Sequence, residues 1–413
     1  MYLFAIALSL FLMFFTCGCT QPRVDSTRSD IWKGKPHQVP SQAEVNSETT
    51  EKMERVQKFL NDESLDGILL TQVRNVSWIT AGVANTQIVL NKDVGAASLL
   101  IKRDGTKFLI CNGSEAYRLL DESLRGWGYQ LKMYNWFEAN PVKDTRGDII
   151  KELRGKIGSD VSFPGTIVVA DKFKRLRFSL TDPEINRYRW LGKEVTEAVS
   201  DVCRKVEVGM DEFEIEALTA AALRSRGILP TVLLVAVDER ISKYRHALPS
   251  GAQLKKYAMI NVVAEKWGMP IAVTRFAHFG PLPPELESKL QKTAKVNAHF
   301  EAATVPGKSC AEIFEECKQW YAEAGYPDEW MKHHQGGATG YDDREYVIYP
   351  GIQEIVQERQ AFAWNPTITG AKVEDTMIAY KDHCEIVTRA DNWPMINVEL
   401  NGKTYEQPGI LIR

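Results

Sequence analysis

Residues 333–341 read HHQGGATGY, two adjacent histidines running into a glycine-rich turn, with carboxylates just downstream at Asp342 and Asp343. Imidazole titrates near neutrality and is the commonest ligand for transition metals, so such a doublet beside acids could hold a metal ion or move protons. Glycines belong where a backbone must turn closely past a ligand. The cysteines compete weakly for this role. Cys17, Cys19, Cys111, Cys203, Cys310, Cys317 and Cys384 include no CxxC pair and make no disulfide framework. Cys310 and Cys317, seven apart on a predicted helix, are expected to share a buried face.

The elements that must carry this stretch belong to a chain of 413 residues, long enough for two domains with separate cores. A 44% hydrophobic and 25% charged composition is that of a globular protein, and a net charge of -3 with interspersed signs leaves no electrostatic footprint for nucleic acid. From Glu51, EKMERVQKFLNDESL has helical periodicity, DGILL reads as a short buried strand, and ASLLIKRDGTKFLIC reads as a hairpin turning at Asp104 and Gly105. A helix (SEAYRLLDESLRGWG) and two strands complete an α/β unit over residues 51–178. LTDPE at 180–184 then starts a helix, with Thr181 or Asp182 as cap and Pro183 in the first turn, and Asp211 caps a second. Strands follow over ILPTVLLVAV and AMINVVAEKWGMPIAVTRFAHFG, the latter turning at Trp267 and Gly268. Two helices occupy about 282–324, and strands near QAFAWNP, AKVEDTMIAY and CEIVT close the chain. Helices covering one face of a mostly antiparallel sheet make residues 179–413 an α+β domain.

Ahead of these lies an apolar run of 14 residues, YLFAIALSLFLMFF at 2–15, short of the roughly 20 that a membrane-spanning helix needs. It reads as the core of a signal peptide over residues 1–18, although no Lys or Arg precedes it. The run ends in TCGCTQ, which resembles a bacterial lipoprotein box with Cys19 as the lipidated residue. That resemblance implies a lipid anchor and a place in the cell envelope, with the polar residues 19–50 as a tether.

The order of segments resembles the pita-bread hydrolases, the family of creatinase, prolidase, aminopeptidase P and methionine aminopeptidase. A small α/β domain, a helix opening with PE, a strand ending near HALP, the TRFAHFG strand, the glycine-rich turn and a closing VEDT strand carry it, over roughly residues 51–413. It implies a creatinase-type N-terminal domain, a C-terminal pita-bread domain and a homodimer.

The peptidases of that family hold two divalent metals with two aspartates, one histidine and two glutamates. Two dications sharing one site need such an anionic set. Here the matching positions are Asn261, Ala272, Gly337, Asn365 and Glu374, so one carboxylate of the five is kept. The resemblance therefore implies no dinuclear metal site and no cofactor. It places His246, in YRHALP, on the histidine that serves as acid and base in the metal-independent creatinase, and His333 on a substrate-side histidine. Glu374, the second residue expected to carry catalysis, needs a cation, either an arginine of the protein or a substrate amine. Arg344 is positioned to clamp a substrate carboxylate or to pair with Glu374, while Arg275, Asn261 and Asn365 are further candidates for substrate contact. His334 is expected to point away, as on an alternating strand. Trp364, Tyr341, Tyr346 and Tyr349 read mainly as core.

Three functions stay open on this reading. They are a metal-independent hydrolase of a small zwitterionic amide, amidine or dipeptide-like molecule, a non-catalytic protein that binds a small molecule or peptide, and an Xaa-Pro aminopeptidase with other ligands. For the last, the unused candidates are Asp342, Asp343, His278, His383 and Asp375.

Overall fold

The computed structural model describes residues 40–413. The apolar run and Cys19 lie outside the described residues. Among the described residues, no helix is long and apolar enough to cross a membrane.

The first described element departs from expectation. Helix α1 spans Gln42–Asp62, so residues 42–50, read as tether, are helical. The cause is local and tertiary at once. Ser41 and Glu44 close a reciprocal capping box at its start, and Val45, Glu48 and Lys52 are buried. Lys52 Nζ lies 2.6 Å from Glu48 and 2.6 Å from Glu184, and Arg187 pairs with Glu48 at 2.6 Å. Two cations thus meet two carboxylates with no side chain exposed beyond a few per cent, and the Tyr341 hydroxyl donates to Glu184 at 2.7 Å. Tyr341 ends the glycine-rich stretch, so α1 helps to fix the turn that the chemistry depends on. Replacing Ser41 by Ala is expected to cost about 1 kcal/mol in urea unfolding. An unchanged midpoint would mean that the residues after Ser41 are the tether the composition suggested.

After α1 come β1 (Gly67–Gln72), β2 (Val94–Lys102), β3 (Lys107–Asn112), β4 (Tyr129–Tyr134), β5 (Ile157–Ser159) and β6 (Ile167–Val168). They form one sheet in the order β4-β3-β2-β1-β5-β6, antiparallel through β1, β2 and β3 and parallel at β3/β4, β1/β5 and β5/β6. The expected helix over SEAYRLLDESLRGWG is shorter, Gly113–Arg118, continuing as a π-turn at Leu119–Ser123.

Helix α2 (Asp182–Lys205) begins at the predicted cap, with Thr181 and Glu184 in a capping box and Pro183 in the first turn. Its buried stripe of Ile185, Tyr188, Leu191, Val195, Val199 and Val202 keeps the three-to-four spacing of one helix face. Helix α3 (Glu212–Arg224) starts on Asp211.

The long strands β7 (Leu229–Val237), β8 (Tyr257–Lys266) and β9 (Met269–His278) pair antiparallel, and β8 and β9 join at Trp267 and Gly268, both at positive φ as a tight hairpin requires. Helices α4 (Pro284–Ala303) and α5 (Cys310–Glu323) follow. Cys310 and Cys317 share the fully buried face of α5, packed with Phe300, Tyr321, Phe362 and Trp364.

A second sheet takes β10 (Gly336–Thr339), β11 (Tyr346–Val347), β12 (Ala361–Trp364), β15 (Asp375–Ala379) and β16 (Cys384–Ile386), in the order β11-β10-β12-β15-β16 and antiparallel throughout. The two-residue pair β13 (Thr367–Ile368) and β14 (Ala371–Lys372) and the hairpin of β17 (Met395–Leu400) and β18 (Lys403–Pro408) stand apart, and β19 (Ile410–Ile412) runs parallel to β9. The two main sheets meet where Thr376 Oγ1 bonds both the N–H and the carbonyl of Ala272, at 2.9 and 3.0 Å. Beside this seam the Thr274 N–H donates to the Glu374 carbonyl. The seam brings β8, β9, the glycine turn and the 372–375 segment to one place.

Candidate functional site

Glu374 sits at the seam, 2% exposed. Asn261 and Thr274 are register partners on β8 and β9, and both reach it. Thr274 Oγ1 donates to Glu374 Oε2 at 2.7 Å, and Asn261 Nδ2 donates to the same oxygen and to Thr274 Oγ1. Lys372 Nζ lies 2.9 Å from Glu374 Oε2, and the Arg344 guanidinium 3.3 Å from Oε1. The cations that Glu374 needs are thus supplied by the protein itself. Burial alone pushes the Glu374 carboxyl up, but Lys372, Arg344 and the donated hydrogen bonds more than offset it, and it falls to about 2. Glu374 is therefore ionised throughout the physiological range.

The other four positions matched to family metal ligands hold no charge. Ala272 packs in an apolar cluster with Val263 and Ala363. Gly337 is hydrogen-bonded into β10, and a Cβ added there would stand 2.1 Å from the Tyr346 carbonyl oxygen, so the backbone as folded has no room for a histidine. Asn365 is 3% exposed, and its Oδ1 accepts no hydrogen bond from the protein. A pair of dications needs several carboxylates to offset its repulsion. One carboxylate already answered by a lysine and an arginine does not fit that group.

Beside the seam lie three histidines. His246 follows a short helix, Glu239–Lys243, and His333 follows a 3-10 turn at Glu329–Lys332. One ion pair fixes both segments, because Arg245 binds Glu329 and also donates to Thr369 at 2.9 Å. Nε2 of His246 then lies 2.9 Å from Nε2 of His333, with the rings edge to face at 86°. His334 stacks on His333, ring centroids 4.2 Å apart, and its Nδ1 accepts the Gly336 N–H at 3.2 Å. His334 therefore joins the cluster and does not point away. The expected alternation fails because β10 begins only at Gly336, so residues 333 and 334 lie outside the strand whose period was applied to them.

Burial and then the nearby Lys372 charge lower His246, and the same influences bring His333 down to about 3. Burial followed by the Arg344 charge brings His334 to about 4. All three are neutral at pH 7. For His333 the folded state resists a proton that the unfolded chain accepts near pH 6.5, so this contribution to stability is present above that pH and lost as pH falls toward 3. His333 alone should remove about 2 kcal/mol between pH 6.5 and 5, with the more exposed His334 adding less. Urea midpoints at those two pH values check this, and His333→Gln should flatten the difference.

Arg275, expected near the substrate, is turned the other way. Its guanidinium binds Asp375 at 2.9 Å and the Thr388 and Thr274 carbonyls, and it is 3% exposed. Thr274 already faces Glu374, and neighbours on a strand point to opposite sides. The alternative ligand candidates do not assemble. Asp342 pairs with Arg74, Asp375 with Arg275, His383 with Asp382, and His278 Nδ1 contacts the Gly280 carbonyl. Trp364 and Tyr341 are core, as read, while Tyr349 is exposed.

Sequence reasoning missed Lys372 and His334. The signal for Lys372 was there, since it lies two residues before Glu374 in KVEDT and side chains two apart in extended chain share a side.

Residues 52–189 match the model of the creatinase/prolidase N-terminal domain, and residues 187–381 that of metallopeptidase family M24. No curated protein matches this chain. Among solved structures, a prolidase from Pyrococcus horikoshii OT3 superposes with a TM-score of 0.67 at 19% identity, covering 83% of this chain and 99% of that one. An Xaa-Pro dipeptidase from Bacillus anthracis gives 0.67 at 18% identity, covering 88% and 100%. The N-terminal domain of the FACT complex subunit SPT16 from chickpea, Cicer arietinum, gives 0.60 at 13% identity, covering 83% and 96%. At such identities these likenesses speak for the fold.

Proposed function

We infer the function from a chain that joins a creatinase-type N-terminal domain to a pita-bread domain of metallopeptidase family M24. That match indicates a hydrolase of the peptidase and prolidase type. Within that class we propose a metal-independent hydrolase of a small zwitterionic amide, amidine or dipeptide-like substrate, with His246 as general acid and base. The observation that carries this reading is Glu374 held by Lys372 and Arg344 beside the neutral His246–His333 pair.

The steps follow from these residues. Water attacks the substrate carbon while His246 takes its proton, and the C–N bond then breaks as His246 returns that proton to the leaving nitrogen. His333, 2.9 Å away, holds the His246 ring in place. Arg344, whose Nε has no acceptor in the protein, is the donor for a substrate carboxylate. Burial and then the Asp343 charge raise Glu265 to about 7. This acidic pair suits a substrate ammonium, and together with Arg344 it supports a zwitterion. Asn261, bonded to Glu374, and Asn365, whose Oδ1 accepts no hydrogen bond from the protein, are the candidates for neutral polar contacts.

A binding protein without turnover is the second reading, favoured by the way Lys372 and Arg344 already satisfy Glu374. A library of small amides, amidines and dipeptides, screened on the full chain by thermal shift and by product formation in the presence of chelator, separates the readings. The hydrolase requires at least one zwitterionic hit to be turned over; stabilisation without product would leave the binding protein. We further propose a lipid anchor at Cys19 in the cell envelope and a homodimer, the latter supported by exposed Ile88, Leu90, Trp136 and Phe137 on the small domain.

A further inference from the structure

The geometry of the three histidines points to a use that the hydrolase reading does not contain. We propose that His246, His333 and His334 form a site for one late first-row transition ion, Zn2+ or a close relative, with ligands distinct from the five positions of the family's metal pair. Among the described residues, these three are the one group of three or more histidine, cysteine or carboxylate side chains with donor atoms close enough to share an ion, all within 4.8 Å of one another.

Three features carry the inference. Tetrahedral zinc with Zn–N bonds of about 2.0–2.1 Å separates two nitrogens by roughly 3.3 Å, and Nε2 of His246 and Nε2 of His333 are already 2.9 Å apart. A small outward shift turns their shared hydrogen bond into a chelate. Next, Nδ1 of His333 is buried with no partner, so the proton of a metal-bound Nε2 tautomer has a place on that atom without breaking an existing bond. Finally, His334 is exposed, and one of its ring nitrogens lies within 4.8 Å of those of His246 and His333. The cations that act on these rings, Lys372 and Arg344, both pair with Glu374, at 2.9 and 3.3 Å, which offsets their charge toward an incoming ion. Three neutral imidazoles with an open side suit zinc, copper or nickel better than manganese or magnesium.

Occupancy removes the His246 lone pair from proton transfer, so under the hydrolase reading the bound ion is an inhibitor. The site itself does not depend on that reading. The test uses the full chain, stripped with chelator and titrated with Zn2+ alone by calorimetry, and separately with Co2+ followed by its visible d–d absorption. One equivalent per chain is expected. Affinity should fall at least tenfold in His334→Ala, while His383→Ala, altering another exposed histidine, leaves it unchanged. The melting profile of His334→Ala checks that the variant is folded, and the Co2+ spectrum reports ligation independently of affinity. Absence of binding, or binding that survives both His334→Ala and His333→Ala, overturns the site. Zn2+ that binds in one equivalent but raises turnover would leave the site standing and sink the metal-free hydrolase reading instead.

Discussion

Glu374→Ala is expected to destabilise the protein by about 3–5 kcal/mol and to abolish ligand binding at the seam. The magnitude follows from what it leaves behind. Lys372 and the Arg344 guanidinium are nearly buried and converge on this one carboxylate; without it, two like charges share a desolvated space, and a buried charge stripped of its partner costs about that much. Asn261 and Thr274 also lose the acceptor for their donated bonds. The companion variant makes the cause separable. Lys372→Met alone leaves Glu374 with Arg344, Asn261 and Thr274, and combined with Glu374→Ala it should recover a large part of the loss, because the repulsion goes with the lysine. Urea unfolding of the four proteins closes the cycle. Strictly additive losses would mean that Lys372 and Glu374 do not interact as the distance implies.

The second large effect concerns His246. If it is the acid and base, His246→Ala should lower turnover of any substrate found by about 10²–10⁴-fold, with thermal stabilisation by the same compound largely kept. Stability itself should change little, since His246 is exposed and its one side-chain hydrogen bond is to His333. His333→Gln is a more delicate probe. If His333 positions His246, that variant should lower the rate less than His246→Ala and shift the pH profile, a change that loss of packing alone would not produce. Equal binding and equal turnover in wild type and His246→Ala would remove His246 from the mechanism.

The fold was legible in the sequence because its signals are local. Thr181 to Glu184, Asp211, the Trp267-Gly268 turn and the buried runs of β7 to β9 each carry their own capping, turn or period information. The start of α1 escaped although Ser41 and Glu44 spell a capping box, because residues 41–50 are polar and nothing local says that Glu48 and Lys52 will be buried. That burial is tertiary, set by Glu184 and Arg187 about 140 residues away. The site divided in the same manner. Asn261, Glu374 and Arg344 could be placed from motif order, and the structure brings them to one seam. Arg275 lies one strand position from the site, since its neighbour Thr274 takes the face toward Glu374. His334 joins the cluster because residues 333 and 334 precede the strand, whose alternation therefore does not govern them. Lys372 was readable two residues from Glu374, but its weight depends on a carboxylate with no metal beside it.

Under the proposed function, Lys372, Arg344 and Glu374 balance the charge of the seam, and hydrolysis there needs no metal pair. The most direct measurement takes one sample of the full chain through metal analysis and turnover, first stripped with chelator and then reloaded with Mn2+, an ion that carboxylate pairs hold and imidazole clusters hold weakly. Turnover is expected to be retained after stripping, or to rise where an ion had occupied the three histidines, with no uptake of two Mn2+ per chain. Two equivalents bound, with activity that appears only on reloading, would contradict it.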